Sequence, residues 1–490
     1  MEKVAKSDNF ITKSNTSLKS TKATCIIIIS ILLFNAGIYL ITDYFPFSEK
    51  IQARKDATGF CSPYASEFIY FYYYTGYFPL ATIDSNLIYS RQGALEQIKE
   101  NGKSLIMEYK HWSRLGENAR IWAFLPNAIL KCSPENPSIK LFNALFFTLS
   151  LILLYLGFKK VNNPLFGLFL VILVNFTPFF IYEVYSRENI FGLMASGFFI
   201  VIGLNIHALF SKTGKFLKYC VVCIISGFLI GFFSEIRNET SILIISLLLV
   251  YILSNKIKIL PKFGISFLII LSFLGSKNLI RYYFDNNFKD TSELVDKFNG
   301  HVYNGGRING HRLWHPVFCG LGDFDKKYGY EWNDRVAYNY AIPVLKEKHG
   351  LNILYSGELY INEYYDSAKL YYKKFDEISV YEEVVKEKVL TDIKSDPLWY
   401  ATIILKRIAR NMTQTIPVPY IGWILLPLIF FLIKRKNWDM LKLIIISLPL
   451  SITSILIFSG KGATYNSLYL YFVIVICFFE LYKNKSPLKS

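Results

Sequence analysis

The chain has 490 residues, 52% of them hydrophobic and 17% aromatic, with a mean hydropathy of +0.30. A soluble protein of that length needs far more charge on its surface, so the composition excludes that class and points to a chain with many membrane spans. The net charge of +17 invites a nucleic-acid partner, yet the two large hydrophilic segments, 42–139 and 282–417, hold 10 basic against 10 acidic residues and 18 against 19, so none is expected.

The basic excess lies in the tail 1–22 and in the short stretches "FKKVNN", "SKTGKFLK", "NKIKILPK", "IKRKNWDMLK" and "YKNKSPLKS". Each falls on the same side of successive apolar runs, which the positive-inside rule makes the cytoplasm. Apolar runs near 23–41, 140–158, 164–182, 190–210, 217–234, 240–255, 263–281, 418–434, 441–459 and 466–483 are long enough to cross about 30 Å of hydrocarbon. The expected fold is an all-α polytopic membrane protein with about ten transmembrane helices, a long first extracytoplasmic loop and one mainly helical, loop-rich extracytoplasmic domain. It divides into the basic tail 1–22, a membrane core 23–281 that includes the loop 42–139, the outer domain 282–417 and a C-terminal part 418–490 with three spans and a cytoplasmic tail. Both termini are expected in the cytoplasm of the cell (inner) membrane, with the large loops outside.

In chain order, the first run is too long for a cleaved signal peptide and lacks a small-residue cleavage site, so it reads as a retained anchor. Asp43 follows it at once, in "ITDYFPF", where a partly desolvated carboxylate at the outer surface can accept a proton. The loop 42–139 carries the aromatic stretch "SEFIYFYYYTGYFPL" and a surface helix around "IWAFLPNAIL". Its Cys61 and Cys132 face the oxidising side, with their pairing left open. Cys220 and Cys223 have C-x-x-C spacing inside an apolar run and read as packing residues.

Two short outer loops are built alike. "YEVYSREN" holds Glu183, Arg187 and Glu188, and "SEIRNET" holds Glu235, Arg237 and Glu239. Arginine there can bind phosphate through paired hydrogen bonds.

In the outer domain, "HRLWHPVFCGLGDFD" gathers His311, Trp314 and His315, with His301 just upstream, in a chain of six histidines. Three readings stand: a metal site with Asp323 or Asp325, a substrate-binding loop in which Trp314 stacks on a sugar, and plain structural hydrogen bonding. Glycines and a proline argue against a helix here, so no metal ligand is assigned. No cofactor is assigned, and a divalent cation is compatible. From residue 367 onward "SAKLYYKKFDEISVYEEVVKEKVLTDIKS" has helical periodicity. Asp396 and Pro397 then mark a helix start, and the basic helix that follows, with Arg410, is expected near the outer interface.

Taken together, Asp43, "IWAFLPNAILKCSPENPSIKLFNALFFTLSLILLYL", "YEVYSREN", "SEIRNET" and "VVKEKVLTDIKSDPLWYATIILKRIARN" resemble the GT-C glycosyltransferases that use lipid-linked sugars. The branch of protein O-mannosyltransferases, aminoarabinose transferases and rhizobial lipopolysaccharide glycosyltransferases is the most similar. The resemblance implies transfer of a sugar from a polyprenyl-phosphate donor to a glycan, lipid or protein acceptor on the outer side, in cell-envelope glycan or glycolipid synthesis. It implies that Asp43 is the catalytic base and that the acidic residues of the loop 183–189 assist acceptor or donor placement; read from the residues themselves, Glu183, Arg187, Glu188, Glu235, Arg237, His311, Trp314, His315 and Arg410 are the expected substrate-binding set. Membrane lipids are the remaining partners. The paired acidic motif of the mannosyltransferases is absent, because Tyr44 follows Asp43, and "HRLWHP" has no counterpart. A lipid-linked sugar flippase, a glycan polymerase or ligase, and a non-catalytic membrane-anchored binding protein are the rival readings.

Overall fold

A computed structural model describes residues 2–42, 76–77, 139–161, 164–185, 192–210, 216–236, 238–255, 257–297, 313–351, 361–366, 369–374, 380–414, 419–457, 470 and 473–475. The regular secondary structure among these residues is helical apart from one two-stranded hairpin. Four helical stretches among them are long and apolar enough to cross a membrane: Thr21–Ile41, Lys140–Lys160, Phe216–Ile236 and Ile259–Thr291. The chain separates into two compact units, residues 1–60 with 139–204, and residues 61–138 with 205–490.

In the first unit α1 (Glu2–Ile41) continues through the basic tail into the first apolar run. It pairs antiparallel with α2 (Lys140–Lys160): Lys140 Nζ donates to Tyr39 O near one end and Lys159 Nζ to Thr24 Oγ1 near the other. The apolar run expected as one span over 164–182 is instead two helices, α3 (Pro164–Asn175) and α4 (Pro178–Tyr185). Pro178 has no N–H to donate and its ring opposes a carbonyl one turn back, so the helix breaks there. The buried Tyr185 Oη donates to Asn35 Oδ1 and holds α4 to α1. The helix α5 (Gly192–Phe210) crosses α2 at Gly203, where a Cβ would lie 2.5 Å from the carbonyl carbon of Leu153.

In the second unit α6 (Phe216–Ile236), α7 (Leu243–Ile252) and the 39-residue α8 (Ile259–Lys297) follow one another. The pair α6 and α8 runs parallel at close range through small residues. Ser272 Oγ donates to Ile224 O at 2.6 Å, and a Cβ on Gly231 would stand 2.6 Å from Phe273 O. In hydrocarbon such close backbone approach supplies the packing that the hydrophobic effect cannot. Lys262 Nζ reaches Ile252 O at 2.6 Å, so α7 returns to the end where α8 begins.

Between residues 313 and 413, α9 (Trp314–Leu321), α10 (Asp334–His349), α11 (Tyr381–Ser395) and α12 (Pro397–Thr413) pack around Phe318, Tyr330, Tyr338, Tyr381, Val385 and Trp399. The expected helix from residue 367 is corrected in part. Residues Ile361–Asp366 and Lys369–Lys374 form an antiparallel hairpin, β1 and β2, with Tyr364 opposite Tyr371, and α11 begins only at Tyr381. Tyrosine favours the pleated, cross-paired surface of a strand over a helix. The start of α12 is as expected: Asp396 accepts from Trp399 N at 3.0 Å and Pro397 opens the helix.

Beyond it, the 441–459 run divides at Pro449 into α14 (Trp438–Ser447) and α15 (Pro449–Leu456), after a ten-residue α13 (Leu425–Lys434). Most of the last apolar run lies outside the described residues.

Candidate functional site

Two charged clusters, both in the second unit, are built from residues far apart in sequence. The first is at the C-terminal end of α6. Glu235 is fully buried, and its Oε1 accepts from Arg281 Nε at 3.2 Å and lies 3.1 Å from Arg281 Nη2 and 3.4 Å from Lys277 Nζ. Arg281 is 45% exposed, so part of its guanidinium still faces outward. From Lys218 to Glu235 is about 26 Å along α6, and from Lys262 to Arg281 about 28 Å along α8, at roughly 1.5 Å per residue. That is close to the thickness of a bilayer's hydrocarbon core, about 30 Å. The acidic and basic groups therefore lie one hydrocarbon thickness from the lysines at the opposite ends of the same helices.

The second cluster organises the helices α9 and α12 and reaches α15. Arg407 is completely buried, in a row with Trp399, Ile403 and Asn411 at a spacing of four along α12. Its Nε donates to Asp323 Oδ2 at 3.1 Å, Nη1 to Ile455 O at 2.9 Å and Nη2 to Gly320 O. Arg410 Nη2 donates to the same Asp323 oxygen at 2.9 Å, and its guanidinium lies 4.9 Å from the Phe324 ring centre. One arginine thus ties α9, α12 and α15 together. Burial pushes the Asp323 carboxyl above its ordinary range despite the two guanidiniums that pull it down. The same burial lowers Arg407, against the attraction of Asp323.

The helix α9 corrects the expectation of an irregular loop over "GHRLWHPVFCGLG". Pro316 sits in its first turn, where no backbone donor is needed, and Gly320 and Gly322 fall at its end. The N-terminal cap comes from a distant residue. Glu382 of α11, itself buried, accepts from Trp314 N at 3.0 Å and from His315 N at 3.3 Å. His315 is buried behind that cap. Its ring stacks on Tyr338 at 5.1 Å, its Nδ1 lies 2.5 Å from Tyr381 Oη and its Nε2 3.2 Å from Asp334 Oδ1.

Of the residues expected to bind substrate, Glu235, Trp314, His315 and Arg410 are described. Trp314 packs against the domain core with Lys386 Nζ 5.8 Å from its ring centre, and Arg410 is engaged by Asp323. Asp43, Arg187, Glu188, Arg237, His301 and His311 lie outside the described residues, as does the side chain of Glu183, and so do Cys61, Cys132 and the segment "IWAFLPNAIL". Neither aspartate considered as a metal partner joins His315 by a described bond. Asp323 holds the arginines, and Asp325 accepts from Lys327 N at 3.1 Å and Trp399 Nε1 at 3.2 Å. Lys277, Arg281, Asp334, Glu382 and Arg407 were not singled out from sequence, and Asp323 was considered only as a metal partner. A signal existed for Arg407: a charge in the apolar row of an amphipathic helix requires a partner. Cys220 and Cys223 are buried, with Cys223 Sγ 3.0 Å from Cys220 O, consistent with packing.

Comparison with protein-family models, curated proteins and solved structures gives no match to the chain.

Proposed function

We propose that the chain is an integral membrane glycosyltransferase that moves a sugar from a polyprenyl-phosphate donor to an acceptor on the extracytoplasmic side. About ten spans would then cross the cell membrane, with both termini inside. The observation that carries the reading is the Glu235–Lys277–Arg281 cluster, one hydrocarbon thickness from Lys218 and Lys262. Lipid phosphates lie at that depth. Arg281 donates its Nε–H to Glu235 and keeps its Nη2 beside the same oxygen, so it can receive a phosphate on its remaining N–H groups while the buried carboxylate holds it in place.

In this reading the acceptor hydroxyl attacks the anomeric carbon and its proton passes to the Asp43 carboxylate. The bond from that carbon to the phosphate oxygen breaks, and the phosphate departs with the electron pair. A cationic side chain stabilises its growing charge, and the anomeric configuration inverts. The Glu235 carboxylate that keeps Lys277 and Arg281 in place when no phosphate is bound also prevents their mutual repulsion.

The test separates binding from chemistry. Purified protein is incubated with a polyprenyl-phosphate hexose and analysed by native mass spectrometry. Release of polyprenyl phosphate is followed in membranes containing each variant. Arg281→Ala is expected to lose the bound donor. Asp43→Asn is expected to keep the donor and to abolish its turnover. Undiminished release of polyprenyl phosphate by Asp43→Asn, or undiminished donor retention by Arg281→Ala, refutes the assignment.

A further inference from the structure

We propose that the outer domain holds a divalent transition-metal ion, of the zinc class, on His315 Nε2, Cys319 Sγ and Asp334 Oδ1. The three atoms come from two helices. His315 and Cys319 are four residues apart on α9 and so share one face, and Asp334 opens α10 beside them. Nε2 to Oδ1 is 3.2 Å, Sγ to Nε2 is 3.8 Å and Sγ to Oδ1 is 3.9 Å. With zinc bonded at about 2.3 Å to sulfur and about 2.0–2.1 Å to nitrogen and oxygen, the edges of a tetrahedron are about 3.3, 3.6 and 3.6 Å. The donors therefore stand within about 0.3 Å of the edges such an ion imposes, a shift that small side-chain rotations supply.

The way the donors converge decides between this and two simpler roles. In a nucleophilic triad the imidazole divides its nitrogens, one toward the nucleophile and one toward the carboxylate. Here thiol and carboxylate both face Nε2, which is what a common ion requires and a proton relay does not. A histidine kept only for structure needs Tyr381 and Asp334; it does not need a third, soft donor at the same nitrogen. The second nitrogen is held as ligating histidines are held, with Nδ1 against Tyr381 Oη at 2.5 Å. With the ion on Nε2, Nδ1 carries the proton and donates it to the phenol oxygen, which accepts as readily as it donates.

Thiolate, imidazole and carboxylate together favour zinc over magnesium or calcium, which take oxygen ligands. His315 and Cys319 are buried and the Asp334 side chain is 43% exposed, so exchange with solvent proceeds from the Asp334 side and water completes the four ligands. On binding, the Cys319 thiol releases its proton to solvent and the sulfur bonds the metal as thiolate.

The full-length protein in detergent, stripped with chelator and dialysed against zinc, is measured by elemental analysis, and in parallel with cobalt by absorption spectroscopy. One zinc per chain and a thiolate-to-cobalt charge-transfer band in the near ultraviolet are expected. Cys319→Ser is expected to abolish the band, and Asp334→Asn to weaken zinc retention at least tenfold while leaving the protein monodisperse on gel filtration. Cobalt uptake without a thiolate band, no zinc retained by the wild-type chain, or zinc retention by both variants equal to that of the wild type overturns the proposal. The wild-type measurements decide the matter even if a variant fails to fold.

Discussion

Replacing Arg407 with methionine removes the group that joins α9, α12 and α15 while roughly keeping the volume of its stem. Three hydrogen bonds go with it, to Asp323, Gly320 O and Ile455 O. Removing one partner of a buried ion pair costs about 3–5 kcal/mol, and each stranded carbonyl about 1–3 kcal/mol. Arg410 still holds Asp323 at 2.9 Å, which offsets part of the loss, so about 4 kcal/mol is expected overall. In detergent this appears as a fall in the thermal midpoint on the order of 10 °C. The neighbouring Lys406 is exposed, and Lys406→Met is the control, with little change expected. Adding Asp323→Leu to Arg407→Met should recover about 1–3 kcal/mol, because burial already works against the ionised form of both partners. The pH dependence has a defined sign. A carboxyl whose folded-state pKa is raised contributes its stability below its unfolded value, ordinarily 3.8, and loses it as the pH rises through the folded value. Acidification should therefore narrow the gap between Arg407→Met and the wild type, since the variant raises that carboxyl further. If Arg407→Met melts together with Lys406→Met at every pH, the buried pair does not hold the domain together.

The helix pair α6 and α8 predicts opposite outcomes for two glycines. Gly231→Leu meets Phe273 O and Ser276 Cβ at under 3 Å and should destabilise by about 1–3 kcal/mol or more, whereas Gly275→Ala faces open space and should stabilise by about 0.5–1 kcal/mol, both read as thermal midpoints in detergent. Glu235→Gln leaves Lys277 and Arg281 without their carboxylate; the midpoint should drop, and donor retention in native mass spectrometry should fall with it. At the start of α12, Asp396→Ala should lower the midpoint and Asp396→Asn should not, because asparagine also caps a helix. The Lys327 ammonium holds the Asp396 carboxyl below its ordinary 3.8, so this cap is intact at neutral pH and fails only as the pH falls through that lowered value, which a midpoint series at acid pH reads directly.

What could be read from the sequence was local. The runs that became α1, α2, α6 and α8 announce themselves by length and apolarity, and Asp396–Pro397 announces α12, because a capping carboxylate and an N1 proline act within one turn. Pro178 and Pro449 were equally visible, yet two continuous spans were read through them, since hydropathy averages over a window and a proline interrupts a single hydrogen bond. The helix α9 was hidden for a different reason. Its own residues argue against helix, and the cap that stabilises it, Glu382, lies 67 residues beyond His315. The same holds for Arg407 and Asp323, separated by 84 residues. A half-legible clue remained even there. Trp399, Ile403 and Asn411 mark the buried face of α12 at a spacing of four, and Arg407 falls on that face. A guanidinium placed there is too costly to bury alone, so the helix periodicity already requires a carboxylate from elsewhere in the fold. Which carboxylate answers depends on topology: α9 ends at Leu321, its terminal carbonyl at Gly320 faces the arginine, and Asp323 is the first acid the chain supplies after that turn.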